Sequence, residues 1–127
     1  MKVFSYMEKG SGKSVSEDTI LVGDKLLKEG FYFFEQVFSC VAVADGVGGN
    51  AGGREASEFV VSQFKEIHED DLIVAAHQIN AELILYAKEI PRKENMATTF
   101  SGIFFNNSLP YKILHVGNTR VSAIQGA

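Results

Sequence analysis

At 127 residues, 46% of them hydrophobic, and with a net charge of −4, the chain has apolar content for one folding unit and too little length for two ordinary domains. The acidic balance provides no basic face for a phosphate backbone, which disfavours nucleic acid as a partner. No stretch approaches the roughly 18 apolar residues of a membrane span, and residues 1–12 lack an apolar signal core, so the expected setting is cytoplasmic with no membrane partner.

Residues 10–16, rich in glycine, serine and lysine, read as a loop that delivers the chain into a short strand at 19–22, with Glu17 and Asp18 at its entrance. Residues 31–34 and 38–44 are dense in aromatic and β-branched side chains. The second run has too little polarity for a half-exposed strand and is expected to be central, buried and ended by Asp45. Cys40 lies inside it as a small buried hydrophobe with no cysteine to pair with.

From Gly52 the period changes. Ala56, Phe59, Val60, Phe64 and Ile67 fall on one face of a helix. Asp70 and Asp71 favour a new helix start, after which Leu72, Ala75, Ala76, Ile79, Leu83, Tyr86 and Ile90 form a second apolar stripe that Pro91 ends. Residues 98–105, 112–116 and 120–124 then read as antiparallel strands, with a turn at 106–110. Strands, a helix pair and strands again predict an α+β layered domain rather than an alternating α/β sheet.

The segment most informative about chemistry is Val43-Ala44-Asp45-Gly46-Val47-Gly48-Gly49-Asn50-Ala51-Gly52-Gly53-Arg54-Glu55-Ala56-Ser57. It puts a carboxylate at the end of a buried strand, followed by glycines that let main-chain groups approach an ion closely. A carboxylate beside an accessible carbonyl suits a hard divalent cation, whereas the plainer reading is a tight strand-to-helix turn with a solvated aspartate.

Asp45-Gly46-Val47-Gly48-Gly49, then Gly52 or Gly53, then Ala56-Ser57, resembles the aspartate-glycine motif of protein phosphatase 2C-type (PPM) serine/threonine phosphatases. Ser16-Glu17-Asp18 resembles that family's Asn-Glu-Asp motif. Met96-Ala97-Thr98-Thr99 is similar to its Met-Gly-Thr-Thr strand, and Val116-Gly117-Asn118-Thr119-Arg120 to its Val-Gly-Asp-Ser-Arg turn. The four segments occur in family order.

The resemblance implies a layered β-sandwich flanked by antiparallel helix pairs, of which residues 1–127 form the N-terminal portion of a single catalytic domain. It implies hydrolysis of phosphoserine and phosphothreonine in proteins by a water activated between two Mn²⁺ or Mg²⁺ ions. Asp45 would bridge the ions, Gly46 would contribute its carbonyl, and Glu17 with Asp18 would hold ion-bound waters, with Asp45 and Asp18 the residues on which catalysis depends. Lys13 stands where the family places an arginine that grips the substrate phosphate, and an ammonium lacks the planar fork of a guanidinium. Asn50 replaces a histidine often found after the glycines. Asn118 replaces an aspartate of a third, weaker metal site, and two further aspartates of the family's C-terminal half have no counterpart within residues 119–127.

The sequence alone therefore leads one to expect an incomplete fragment that self-associates or needs a partner and is inactive by itself. A non-catalytic phosphoprotein-binding module is the main alternative, and a dinucleotide fingerprint at Gly46-Val47-Gly48-Gly49-Asn50-Ala51 fails because a helix, not a second parallel strand, follows. His68, His77 and His115 are scattered and read as satisfied surface or edge histidines, and Glu66, Glu69, Asp70 and Asp71 as a solvated corner between helices.

Overall fold

The structure is a computed structural model and describes residues 1–49, 52–67, 70–93, 95–105 and 110–126. Asn50, His68, Glu69 and most of the turn expected at 106–110 lie outside them. The strands are β1 (Lys2–Met7), β2 (Asp18–Val22), β3 (Lys25–Leu27), β4 (Gly30–Glu35) and β5 (Cys40–Val47). The helices α1 (Gly52–Lys65) and α2 (Leu72–Glu89) follow, and then β6 (Ala97–Thr98), β7 (Phe100–Phe104) and β8 (Lys112–Val116).

The main sheet runs β3-β2-β5-β7-β8 with every described pairing antiparallel, and β6 pairs with the far end of β5. β1 and β4 form a separate antiparallel pair. Alternation along each strand assigns the faces. Leu21, Ala42, Ala44, Phe100 and Leu114 point to α1 and α2, while Val22 packs with Phe38, Leu27 and the inward residues of β1 and β4. The layers are thus a helix pair, a main sheet and a small second sheet.

The helix-covered face is closed by Val60 and Phe64 of α1 and Ala75, Ile79 and Leu83 of α2, which the period-3.6 pattern identifies, and by Val61 and Ala87, which that pattern left out. Phe64 stacks on Phe100 with ring centroids 4.0 Å apart, and Phe59 stacks on Tyr86 at 4.7 Å to join the helices. Asp71 caps α2, its carboxylate accepting from the amides of Ile73 and Val74, as its position before the apolar stripe predicts. The α+β layered expectation and both helices match the structure.

Several local expectations need correction. β5 begins at Cys40 and runs two residues past Asp45, and it is not buried on both faces: Val43 is 39% exposed and Asp45 is exposed. Its outward face looks into an open interlayer cavity of about 400 Å³, lined by Val3, Ile20, Val41, Val43 and Ile103. The expected 98–105 strand is two pieces, β6 and β7, broken at Thr99. Residues 120–124 form no strand, since no described strand offers them a ladder, and Ile124 stays 96% exposed. β1 and β3 were not anticipated. β1 hides its period because Phe4 and Tyr6 occupy the outward face, where polar residues would make the alternation visible.

Candidate metal centre

Asp18 opens β2 and lies directly opposite Asp45 across the β2–β5 pair. Like charges placed so are unfavourable in a sheet. Burial first, and then a hydrogen bond and charge from Asp45, raise the Asp18 carboxyl above the ordinary aspartate value, with Lys13 partly opposing. The two carboxylates line one cleft of about 340 Å³, together with Tyr6, Glu8 and Thr119.

The backbone around the pair is tightly tied. The Gly46 amide donates to the Glu17 carbonyl at 3.2 Å, and the amides of Thr99 and Asp45 donate respectively to the Asp45 carbonyl at 2.9 Å and the Thr99 hydroxyl at 3.0 Å. Gly46 and Gly53 are in backbone contact: a Cβ on Gly46 would lie 1.8 Å from the Gly53 carbonyl oxygen. Only glycine permits the start of α1 to pass so close to the end of β5. Beneath Asp18, the Ser57 hydroxyl donates to the Glu17 carbonyl at 2.7 Å and shares a 2.8 Å bond with Thr19. Lys28 donates to the Thr19 hydroxyl and the Asp18 carbonyl and pairs with Glu58 at 2.9 Å.

Of the residues singled out from sequence, Asp18, Asp45 and Gly46 come together. Glu17 turns aside, its carboxylate held 3.0 Å from the Lys13 ammonium. That contact raises the Lys13 pKa, and the charges of Asp18 and Asp45 raise it further. Asn118 is exposed on the turn after β8, where Gly117 takes a φ of 101°. Asn50 lies outside the described residues. Sequence reasoning passed over Lys28, Ser57 and Thr99 as site-supporting residues. Their partners are distant in the chain, so only the motif positions of Ser57 and Thr99 could have signalled a role. Cys40 stays apart from the centre, with burial pushing its thiol up to about 12.

All the donors at the pair are oxygen, which suits Mg²⁺ or Mn²⁺ better than softer ions. No group of three or more acidic, histidine or cysteine side chains able to hold a metal ion exists among the described residues, so the pair does not form a closed cage.

No protein-family profile matches the chain. It is 27% identical over 122 residues to the serine/threonine protein phosphatase PstP of Mycobacterium tuberculosis, covering 89% of this chain and 21% of that protein. The crystal structure of Mycobacterium tuberculosis PstP superimposes with a TM-score of 0.66 at 21% identity, over 92% of this chain and 46% of that one. A PstP catalytic domain solved with two manganese ions gives 0.62 at 22% identity, over 93% and 50%. Stp1 of Staphylococcus aureus gives 0.60 at 21%, over 84% and 42%.

The chain carries part of a protein phosphatase 2C-type fold. It spans about a fifth of the curated relative and about half of each solved phosphatase chain. Within this phosphatase 2C-type frame, the four sequence motifs fall on the β2 entrance, the β5 to α1 turn, the β6–β7 break and the turn after β8. The first two bring Asp18 and Asp45 together, the third supplies Thr99 to the Asp45 backbone, and the fourth brings Thr119 to the same cleft.

Proposed function

We propose that this chain is the N-terminal portion of the catalytic domain of a metal-dependent protein phosphatase acting on phosphoserine and phosphothreonine, with two Mn²⁺ or Mg²⁺ ions in the complete site. The supporting observation is the Asp18–Asp45 pair: two carboxylates directly opposed over a cleft, with the Asp18 acid raised, form a site whose charge a divalent cation would balance. Bound divalent cations would supply a water of lowered pKa and neutralise charge on the phosphoryl oxygens. Asp45 and Asp18 would hold them, with the Gly46 carbonyl and, once freed from Lys13, Glu17 completing the oxygen set from this chain. Lys13 would bind the substrate phosphate as a point charge. The relatives' names support this substrate class, and the lone buried Cys40 is compatible with a reducing cytoplasm.

The substitutions at Lys13, Asn50 and Asn118 favour a second reading, a phosphoprotein-binding module in which the fold is kept without turnover. Assay of the full protein against a phosphopeptide separates the two. The phosphatase reading expects turnover that depends on added Mn²⁺ or Mg²⁺ and is mostly lost in Asp45→Asn. Turnover in chelator, or undiminished turnover in the variant, contradicts it. Binding without turnover supports the second reading. The isolated 127-residue chain is expected to be inactive and to self-associate through its open interlayer face, where Ile113 is 50% exposed.

A further inference from the structure

A hydrogen-bonded path leads to the cleft from a histidine outside it. Ser101 of β7 lies directly opposite His115 of β8, and its hydroxyl is 2.7 Å from the imidazole Nδ1. The same hydroxyl is 2.5 Å from the Thr119 hydroxyl. Ser101 is 3% exposed, His115 is exposed, and Thr119 lines the cleft with Asp18 and Asp45. The path therefore runs from solvent through a buried hydroxyl to the candidate metal centre.

Each hydroxyl carries a single proton, which makes the path directional. With a neutral imidazole whose Nδ1 is bare, Ser101 donates to Nδ1, Thr119 donates to Ser101, and the remaining lone pairs of Thr119 are left for the cleft. With an imidazolium, Nδ1–H donates to Ser101, Ser101 donates to Thr119, and the Thr119 proton is released toward the cleft. The two hydroxyls only rotate and keep their own protons, and the one bond formed is the ring Nδ1–H of the proton taken from solvent. We propose that Ser101 and His115 are positioning residues that set whether Thr119 offers the Asp18–Asp45 cleft a lone pair or a proton.

A lone pair accepts from cation-bound water, whereas a proton satisfies the carboxylates directly and opposes the cation; this consequence rests on the reading of the cleft as a cation site. The charged and titratable groups around the path are Lys112 on β8, Arg120 beside Ser101 in the interlayer cavity, Asp45 on β5, Asp18 on β2, and Tyr6 and Glu8 across the cleft. Among the described residues His115 has no ion-pair partner. Direct competition of protons for Asp18 also weakens cation binding in acid, so the test must remove the path while leaving both carboxylates in place.

The experiment follows the ¹³C signals of His115, Thr119 and Asp45 by NMR from pH 5 to 8, first without metal and then during Mg²⁺ titration. In the metal-free wild type, Thr119 and Asp45 are expected to report the His115 titration. In Ser101→Ala the histidine still titrates but the two reporters no longer follow it, and Ser101→Thr, which keeps a hydroxyl, restores the coupling. With Mg²⁺, loss of the imidazole proton tightens wild-type binding about fivefold, the worth of one net hydrogen bond. That step vanishes in Ser101→Ala and in His115→Asn, whose amide replaces Nδ1 without titrating. Reporters that follow His115 equally well in Ser101→Ala overturn the proposal. Intact coupling with no Mg²⁺ binding in any variant upholds the path and removes the cation reading of the cleft instead.

Discussion

The two faces of the main sheet use the same strands for opposite ends. Toward the helices, Leu21, Ala42, Ala44, Phe100 and Leu114 are buried under α1 and α2. Toward the second sheet, Asp18, Asp45, Ser101 and His115 gather at one end of a face whose other positions, Ile20, Val22, Val41, Val43 and Ile103, are apolar, and two of the four have facing carboxylates. A strand's period of two lets one face carry the stability while the other collects groups that folding alone would not place together. The glycines at 46 and 53 are where the two faces meet, because they bring the start of α1 against the end of β5.

The largest expected effect strikes that junction. Gly46→Ala places a methyl 1.8 Å from a backbone oxygen that cannot rotate away. It is expected to cost more than about 4 kcal/mol, beyond the usual range for overpacking. Urea denaturation would register an unfolded or molten chain, and a native-like midpoint would show that the junction is looser than described.

Ser57→Ala comes next, because Ser57 supports the polar face from the apolar side. Its hydroxyl is fully buried between the Glu17 carbonyl and Thr19. Loss of these bonds, together with the longer 3.2 Å contact to the Arg54 carbonyl, is expected to cost about 1–3 kcal/mol, read from the same denaturation curves. A change below about 0.5 kcal/mol, the scale of ordinary surface substitutions, would make the two faces energetically independent.

Asp18→Asn should do the opposite in metal-free protein. The folded-state pKa of Asp18 is raised, by burial first and then by Asp45. Its ionisation therefore opposes folding: the penalty is absent below the ordinary aspartate range, grows as pH rises toward the raised value, and is complete above it. The variant is expected to melt higher than wild type at pH 7 and equally at pH 3, as read by thermal scans. A lower melting point at pH 7 would mean that the carboxylate is stabilising where it lies.

The smallest effect belongs to the helix layer alone. Asp71→Ala removes the cap of α2 and is expected to cost about 1 kcal/mol without altering the cleft. Thermal scans would check the cost, and displaced signals from Asp18 or Asp45 would show that the layers are coupled.

The helices were legible in the sequence because their periodicity and the Asp71 and Pro91 boundaries are local signals. The Asp45 glycine turn was legible for the same reason, since close backbone approach requires glycine at particular positions. What stayed hidden depends on register. Glu17 was expected beside Asp18 at the metal, yet adjacent residues on a strand entrance point to opposite sides, and Glu17 pairs with Lys13. Thr19, Ser57 and Lys28 meet from β2, α1 and the β3–β4 connection, and Ser101 meets His115 only once β7 and β8 are paired. The failure of residues 120–124 as a strand has the same origin, because strand propensity needs a partner edge to be realised.

The central claim is that the Asp18–Asp45 pair holds a divalent cation. Isothermal titration of the metal-free chain with Mn²⁺ tests it most directly, against Asp18→Asn and Asp45→Asn variants shown to be folded. Wild type is expected to bind weakly, on the order of millimolar for a site with few carboxylates, and each variant at least about tenfold more weakly. Equal binding by wild type and both variants would contradict the account.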